Sequence, residues 1–124
     1  MLQYPQAIQE VNAFDHYNWL SKAEMFILQS LNDNSGFVMA DLAKALFVSE
    51  RQLYRIIKNE TGRTPNEYVR LVKLQTAKKL LESERVHTVA EVSLAVGFNR
   101  SDYFSKLYSK QFGIRPIEYL NSRK

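Results

Sequence analysis

The sequence predicts an all-α protein in which two copies of one helical unit are joined by a long helix. The main observation is an internal repeat: residues 40–68 (ADLAKALFVSERQLYRIIKNETGRTPNEY) match residues 90–119 (AEVSLAVGFNRSDYFSKLYSKQFGIRPIEY), with one residue inserted in the second copy. A repeat at a fixed offset indicates two copies of one supersecondary unit. Helix-capping residues recur along the chain, and no segment shows the strict apolar–polar alternation of a half-buried strand.

The first predicted helix covers residues 23–31, whose apolar side chains recur at the spacing of one helix face. Residues 39–46 predict a short helix. A longer helix follows because Ser49 and Gln52 form a capping box, in which a hydroxyl and an amide satisfy free backbone N–H groups. Gly62 is expected to end this helix. Its predicted buried stripe consists of Leu53, Ile56 and Ile57.

The connecting helix begins at a second capping box, Thr64 with Glu67, and has Pro65 at its first position. The helix that follows contains no glycine and no further proline. A third capping box, Thr88 with Glu91, starts the second copy. The remaining signals of that copy are a break at Gly97, a long helix over residues 104–112, a stop at Gly113 and a last short helix from Pro116.

These signals divide the chain into four segments. We expect an N-terminal linker or extra helix at residues 1–22, a first unit at 23–64, a connecting helix at 65–82 and a second unit at 83–124. Aromatic residues are frequent in the first segment, which favours an extra helix that packs on the domain.

Each unit combines a short helix, a tight turn and a longer capped helix, which is the helix-turn-helix pattern. The turn falls at residues 47–48 in the first unit and at residues 97–98 in the second. The small side chains of Ala45 and Ala95 are expected to let the two helices of each unit cross closely. We therefore predict two helix-turn-helix subdomains joined by a long connecting helix. A pair of helical hairpins that serve only packing is the alternative.

Charge is concentrated in the part of the chain that repeats. Residues 1–35 hold one basic and four acidic residues, whereas residues 36–124 hold 16 basic and nine acidic residues. Such a basic domain suggests a polyanion as partner, because Lys and Arg replace the counterions condensed on phosphates. Together with the two helix-turn-helix patterns, this favours double-stranded DNA.

Several function classes are disfavoured by composition. The chain has no cysteine, so we expect no disulfide, no thiolate chemistry and no cysteine-ligated zinc. His16 and His87 are isolated in the sequence, so we expect no metal site and no cofactor. No apolar run reaches the ~20 residues of a membrane span. We expect a cytoplasmic protein with no membrane contact and no small-molecule ligand in this part of the chain.

The outward face of the first long helix holds the candidate DNA-binding residues. Arg51 and Arg55 lie one turn apart, and an Arg fork can span O6 and N7 of a guanine in the major groove. Tyr54 is expected to pack on a thymine methyl or a sugar. A solvated face in which Arg51 pairs with Glu50 or Glu60 is the alternative. The predicted contact set of the first unit is Ser49, Arg51, Gln52, Tyr54, Arg55 and Lys58, with Ser49 and Lys58 assigned to phosphates.

The second long helix offers smaller side chains. Its predicted contact set is Asn99, Arg100, Ser101, Asp102, Ser105 and Lys106. Arg100 and Lys106 are expected to matter most, and Asp102 would either favour cytosine or cap the helix. The aromatic and apolar residues of this helix are expected in the core: Tyr103, Phe104, Leu107, Tyr108 and Phe112. The first unit should therefore carry most sequence discrimination, and the second should add affinity and fix the register.

The motifs resemble the DNA-binding domain of the AraC/XylS family of bacterial transcription regulators. The resemblance covers residues 25–119 and rests on the phrases RTPNEYVR, KLQTAKKLL and VAEVSLAVGFNRSDYFSKLYSKQFGIRPIEY. It implies a monomeric domain whose two recognition helices enter successive major grooves. The sequence departs from the usual pattern at Val38, where a Ser or Thr cap is common, at Phe47, where glycine is common, and at Lys73, which replaces an arginine. These departures are expected to affect stability more than target choice.

The resemblance implies the output domain of a transcription regulator that binds a specific DNA sequence, and an excised C-terminal domain is favoured over a complete small regulator. A helical protein-interaction module that docks on RNA polymerase or on a partner regulator is the alternative. An enzyme is disfavoured, because the alkyl-transfer repair proteins that carry this type of domain need an acceptor cysteine and the chain has none.

Overall fold

The computed structural model describes residues 13–32 and 39–123, with side chains from Trp19 onward apart from that of Asn32. These ranges contain helices and no strand, which confirms the predicted all-α class. The helices are α1 (Ala13–Asn32), α2 (Met39–Ala45), α3 (Glu50–Thr61), α4 (Pro65–Ser83), α5 (Val89–Ala95), α6 (Ser101–Phe112) and α7 (Pro116–Ser122). No helix in these ranges combines the length and apolarity needed to cross a bilayer.

The first helix is longer than its periodicity predicted, because α1 begins at Ala13 rather than near residue 23. Residues 1–12, the predicted departure at Val38 and the side chain of His16 lie outside the described residues. His87 is exposed, and the described residues contain no cluster of His, Asp or Glu that could hold a metal ion.

All three predicted capping boxes form. The Ser49 N–H donates to Gln52 Oε1 at 2.9 Å, and the Gln52 N–H donates back to Ser49 Oγ at 3.1 Å. Each such cap contributes about 1 kcal/mol to the stability of its helix. The boxes that start α4 and α5 are Thr64–Glu67 and Thr88–Glu91. In each box the carboxylate accepts hydrogen bonds from backbone N–H groups, which lowers the pKa of Glu67 and of Glu91.

Helix α4 lies between two hydrophobic cores and contacts α1, α3, α5, α6 and α7. Its first half contributes Tyr68, Val69 and Val72 to a core shared with α1, α2 and α3. Its second half contributes Leu74, Ala77 and Leu81 to a core shared with α5, α6 and α7. At 3.6 residues per turn these two sets fall on nearly opposite sides of the helix. Packing from both sides therefore fixes α4 as the common element of the two units.

The two helix-turn-helix turns share one backbone conformation. In each, the backbone amide of the second turn residue donates to a carbonyl in the short helix: Val48 N–H to Ala43 O at 3.0 Å, and Phe98 N–H to Ser93 O at 2.9 Å. Each turn also contains a residue with positive φ, and this residue is Phe47 (61°) in the first unit and Gly97 (85°) in the second.

The prediction that Ala45 and Ala95 allow the close helix crossing is wrong. Both alanines are exposed, whereas Ala43 and Ser93, two positions earlier in each unit, are buried. The reason is helical geometry: the inward face of α2 includes Leu42 and Ala43, Leu46 just after the helix packs in the same core, and Ala45 lies off that face. The buried Ser93 hydroxyl donates to Phe98 O at 3.1 Å, so its polar group is satisfied.

Candidate nucleic-acid interface

Helix α3 presents a polar face because its apolar stripe points into the first core. Leu53 and Ile57 are fully buried, and Ile56 is partly buried. The side chains on the other side of the helix are exposed, including the aromatic ring of Tyr54, which is 47% exposed. The predicted contact residues on this face are Arg51, Tyr54, Arg55 and Lys58.

The two arginines of this face carry no counter-charge within the described part of the chain. The ion pairs found there include Arg100–Asp102 and Arg115–Glu118, and Arg51 is not paired with the Glu50 of the alternative interpretation. A guanidinium that is not held by a carboxylate needs to break no pair before it contacts a base or a phosphate.

Ser49 and Lys58 lie at the two ends of α3 and take part in its caps. The Lys58 ammonium donates to Gly62 O at 3.3 Å beyond the C-terminus. The Ser49 hydroxyl accepts the Gln52 N–H, which leaves its own proton to donate. An ammonium has three donors, so Lys58 retains two for another acceptor. Both side chains can therefore cap α3 and still contact a phosphate.

The two long helices can be aligned by their ends. Each stops at a glycine in the left-handed conformation, whose N–H donates to the carbonyl four residues earlier: Gly62 to Lys58 O at 2.9 Å and Gly113 to Ser109 O at 2.8 Å. This alignment pairs Arg55 with Lys106. It also pairs Arg51 with Asp102 and Tyr54 with the partly buried Ser105, and it aligns the N-cap Ser49 with the N-cap Arg100.

The inserted residue of the repeat is Asn99. The turn residues before it, at 97–98, align with 47–48 at an offset of 50, whereas the helix caps after it align at an offset of 51. The insertion therefore lies directly before α6 and lengthens the entry to the second recognition helix by one residue.

The start of α6 carries an ion pair instead of a side-chain cap. Arg100 donates two hydrogen bonds to Asp102, from Nε to Oδ1 at 3.2 Å and from Nη2 to Oδ2 at 2.7 Å. These hydrogen bonds lower the pKa of Asp102 and raise the pKa of Arg100, so both groups are charged at neutral pH. Both side chains are exposed, and an ion pair in that setting contributes little to stability. Arg100 can exchange Asp102 for another acceptor.

Replacing Asp102 with asparagine tests whether the carboxylate of Asp102 opposes DNA binding. The carboxylate partly neutralises Arg100 and places a negative charge where phosphates are expected, so Asp102→Asn should tighten binding to all duplexes. It should also increase the dependence on salt concentration by up to about one counterion. Glu82→Gln, on the exposed side of α4, is the control for the change in net charge. A loss of affinity confined to the preferred sequence would show instead that Asp102 contacts a base.

The prediction that Tyr103 belongs to the core is wrong. Its side chain is 46% exposed, whereas Phe104 and Tyr108 are buried. The ring of Tyr103 meets that of Phe98 edge-on, with centroids 6.2 Å apart. The offset of 51 would have revealed this position, because it aligns Tyr103 with the polar residue Gln52 near the start of α3. Tyr103 is therefore an additional candidate for contact with nucleic acid.

Two long helices that each follow a tight turn, present a polar outer face and end at a left-handed glycine define a DNA-binding protein with two helix-turn-helix units. Residues 42–122 match the family model described as a helix-turn-helix domain. The chain belongs to this family, in the form found in the AraC-type transcription regulators.

Individual relatives agree with this assignment. The chain is 33% identical over 102 residues to histidine kinase P4 of Formosa agariphila, and the aligned region covers 82% of the chain and 7% of the kinase. It is 29% identical over 109 residues to the transcriptional activator RhaR of Yersinia pseudotuberculosis, and this alignment covers 85% of the chain and 37% of the activator. The chain thus spans a minor part of the curated relatives that it matches.

A solved structure matches the whole arrangement of helices. The AraC-type transcriptional regulator of Chromobacterium violaceum superposes with a TM-score of 0.76 at 29% identity, over 90% of this chain and 96% of that one. The superposition covers both helix-turn-helix units and α4, so the observed fold is that of an AraC-type DNA-binding domain.

Proposed function

We propose that the chain binds a specific sequence of double-stranded DNA as the output domain of a bacterial transcription regulator, with no catalytic step. The observation that carries the proposal is the outer face of α3, where Arg51 and Arg55 are exposed, one turn apart and held by no carboxylate in the described residues. The caps at both ends hold this helix, so the backbone positions of the two arginines have a defined spacing.

The arrangement of the two units supports binding to successive major grooves. Helix α4 has 19 residues and spans ~28 Å at ~1.5 Å per residue, which is close to the ~34 Å repeat of the major groove. One chain then provides the two recognition helices that other helix-turn-helix proteins obtain by dimerising. We propose that the domain acts as a monomer, with α3 providing most base discrimination and α6 adding affinity and register.

This function is tested by selecting the duplexes that the 124-residue chain binds from a random library. The expected product is a sequence motif in two parts about one helical turn apart, with stronger base preference in one part than in the other. The affinity for the selected duplex should fall as salt concentration rises. Absence of salt-dependent duplex binding would contradict the proposal.

Lys58→Ala tests the assignment of Lys58 to a phosphate. Loss of one phosphate contact should weaken binding to selected and random duplexes alike and reduce the salt slope by about 1. Lys79→Ala, an exposed lysine on α4, removes the same charge away from the proposed interface. Because Lys58 also donates to Gly62 O, thermal unfolding of both variants should be measured beside binding. If Lys58→Ala had the same salt slope as the unaltered chain, the assignment of Lys58 to a phosphate would be refuted.

A further inference from the structure

The second helix-turn-helix turn packs against residues of α1 and α4. A methyl group added at Gly97 would lie 3.1 Å from Leu31 Cδ2 and 3.6 Å from Cε and Nζ of Lys73. The side chain at the corresponding position of the first unit, Phe47, is 79% exposed. Residues of α1 and α4 thus meet at the turn that leads into α6.

Lys73 makes this contact in an unusual way. Its side chain is half-buried, and its ammonium lies 5.4 Å from the centroid of the Phe98 ring. Burial lowers the pKa of Lys73 from its ordinary value, and no carboxylate in the described residues pairs with it. A half-desolvated ammonium over an aromatic face is held by the ring quadrupole, which fixes the ring relative to the lysine stem.

Phe98 transmits this contact to the second recognition helix. Its ring packs on Phe104 of α6 with centroids 5.4 Å apart, and it also meets Tyr103 edge-on. Asn99, the inserted residue, follows it immediately. A shift of Phe98 relative to α4 would therefore be accompanied by a shift of α6.

The second core holds the second unit on α4, and a cleft of about 560 Å³ opens beside the turn, with walls that include Ser30, Asn66 and Asn99. Leu31 packs against the second core, although the fully buried side chains of α1 lie in the first core. Leu31 and Lys73 therefore add contacts at the turn to the packing that α4 provides.

We infer that Leu31, Lys73 and Gly97 form an orienting joint that holds α6 at a fixed position relative to α3 and so sets the half-site spacing that the domain prefers. Lys73 acts here as a positioning residue and does not touch DNA. The inference rests on the proposed function. It also revises the expectation that Lys73 affects stability more than target choice.

Lys73→Met tests the joint because it keeps the stem and removes the charge over Phe98. Binding should be measured on duplexes that carry both selected half-sites at the preferred spacing and at spacings changed by one and two base pairs, and on a duplex with a single half-site. We expect the preference for one spacing to fall by about two- to thirtyfold, the range that a cation–π contact supplies. Base preference within each half-site and binding to a single half-site should stay unchanged.

The controls separate orientation from charge and from folding. Lys79→Met makes the same change on an exposed part of α4 and should keep the spacing preference. Lys73→Arg retains a cation above Phe98 and should restore the preference. Leu31→Ala weakens the joint from α1 and should lower the preference as Lys73→Met does. Thermal unfolding shows whether each variant is folded under the binding conditions.

The outcomes distinguish the joint from the proposed function. If Lys73→Met and Leu31→Ala are folded and keep the spacing preference, or lose affinity equally at every spacing, the joint is contradicted while DNA binding stands. If the unaltered chain binds no duplex, the proposed function fails and the joint fails with it.

Discussion

Arg55→Ala should weaken binding to the selected duplex by about 1–3 kcal/mol, which corresponds to roughly five- to 150-fold in dissociation constant. The base preference should flatten at one or two positions of the site, because a guanidinium fork that accepts guanine and rejects other bases is lost. Affinity for random duplex should change far less, and the difference between the two duplexes is the quantity to measure.

The structure makes this prediction sharper than the motif does. Arg55 has no ion-pair partner among the described residues, so its removal leaves no carboxylate exposed without a counter-charge. Its equivalent in the second unit is Lys106, a point charge that lacks the planar fork. Lys106→Ala should therefore reduce affinity on selected and random duplexes alike.

Arg85→Ala provides the matched control for Arg55. Arg85 is an exposed arginine in the segment between α4 and α5 and belongs to neither α3 nor α6. Its replacement should leave the base preference intact and change affinity only through net charge. If Arg55→Ala bound selected and random duplexes with the affinities of the unaltered chain, the role of Arg55 in base recognition would be refuted.

Features that depend on neighbouring residues were predictable from the sequence. The capping boxes at Ser49, Thr64 and Thr88 act over three residues, and the stops at Gly62 and Gly113 depend on one residue each. The start and end of α3, together with its apolar stripe, were enough to predict which of its residues form the outer face. Local signals were therefore enough to place the elements and the first candidate face.

Features that depend on residues distant in the chain were not predictable. Arg123 donates to the carbonyl oxygens of Leu81 at 2.6 Å and Val86 at 3.0 Å, which ties the end of α7 to the end of α4 across more than 35 residues. The contact of Lys73 with Phe98 is of the same kind. An exposed arginine and an exposed lysine would give the same sequence pattern, so only the packed fold reveals these roles.

The exposure of Tyr103 was missed for a different reason. An aromatic residue next to Phe104 in a helix of the second core is more often buried than exposed, and composition alone favours the core. At the offset of 50 that holds before Asn99, Tyr103 aligns with the buried Leu53, whereas at the offset of 51 that holds after it, Tyr103 aligns with Gln52. An error of one residue in the alignment corresponds to about 100° around the helix, so it exchanges a buried position for an exposed one.

Gly97→Ala should destabilise the domain by about 2–5 kcal/mol. Two costs add: an L-residue in the left-handed region is disfavoured by about 1–2 kcal/mol, and a methyl group 3.1 Å from Leu31 Cδ2 forces the packed leucine to move, at about 1–3 kcal/mol. The free energy of unfolding from denaturant titration measures the effect. Since Gly97 belongs to the joint, the folded fraction of the variant should also show a weaker preference for one half-site spacing.

Phe47→Gly is the matched experiment in the first unit, and its sign should be opposite. Phe47 has the same left-handed backbone, with φ of 61°, and its side chain is 79% exposed. Relief of the strain offsets the greater freedom of glycine in the unfolded chain, and the net change should lie between about 0 and 1 kcal/mol of stabilisation. Equal destabilisation by the two substitutions would show that backbone conformation does not govern these turns. A loss of more than about 1 kcal/mol on Phe47→Gly would show that this ring stabilises the first turn despite its exposure.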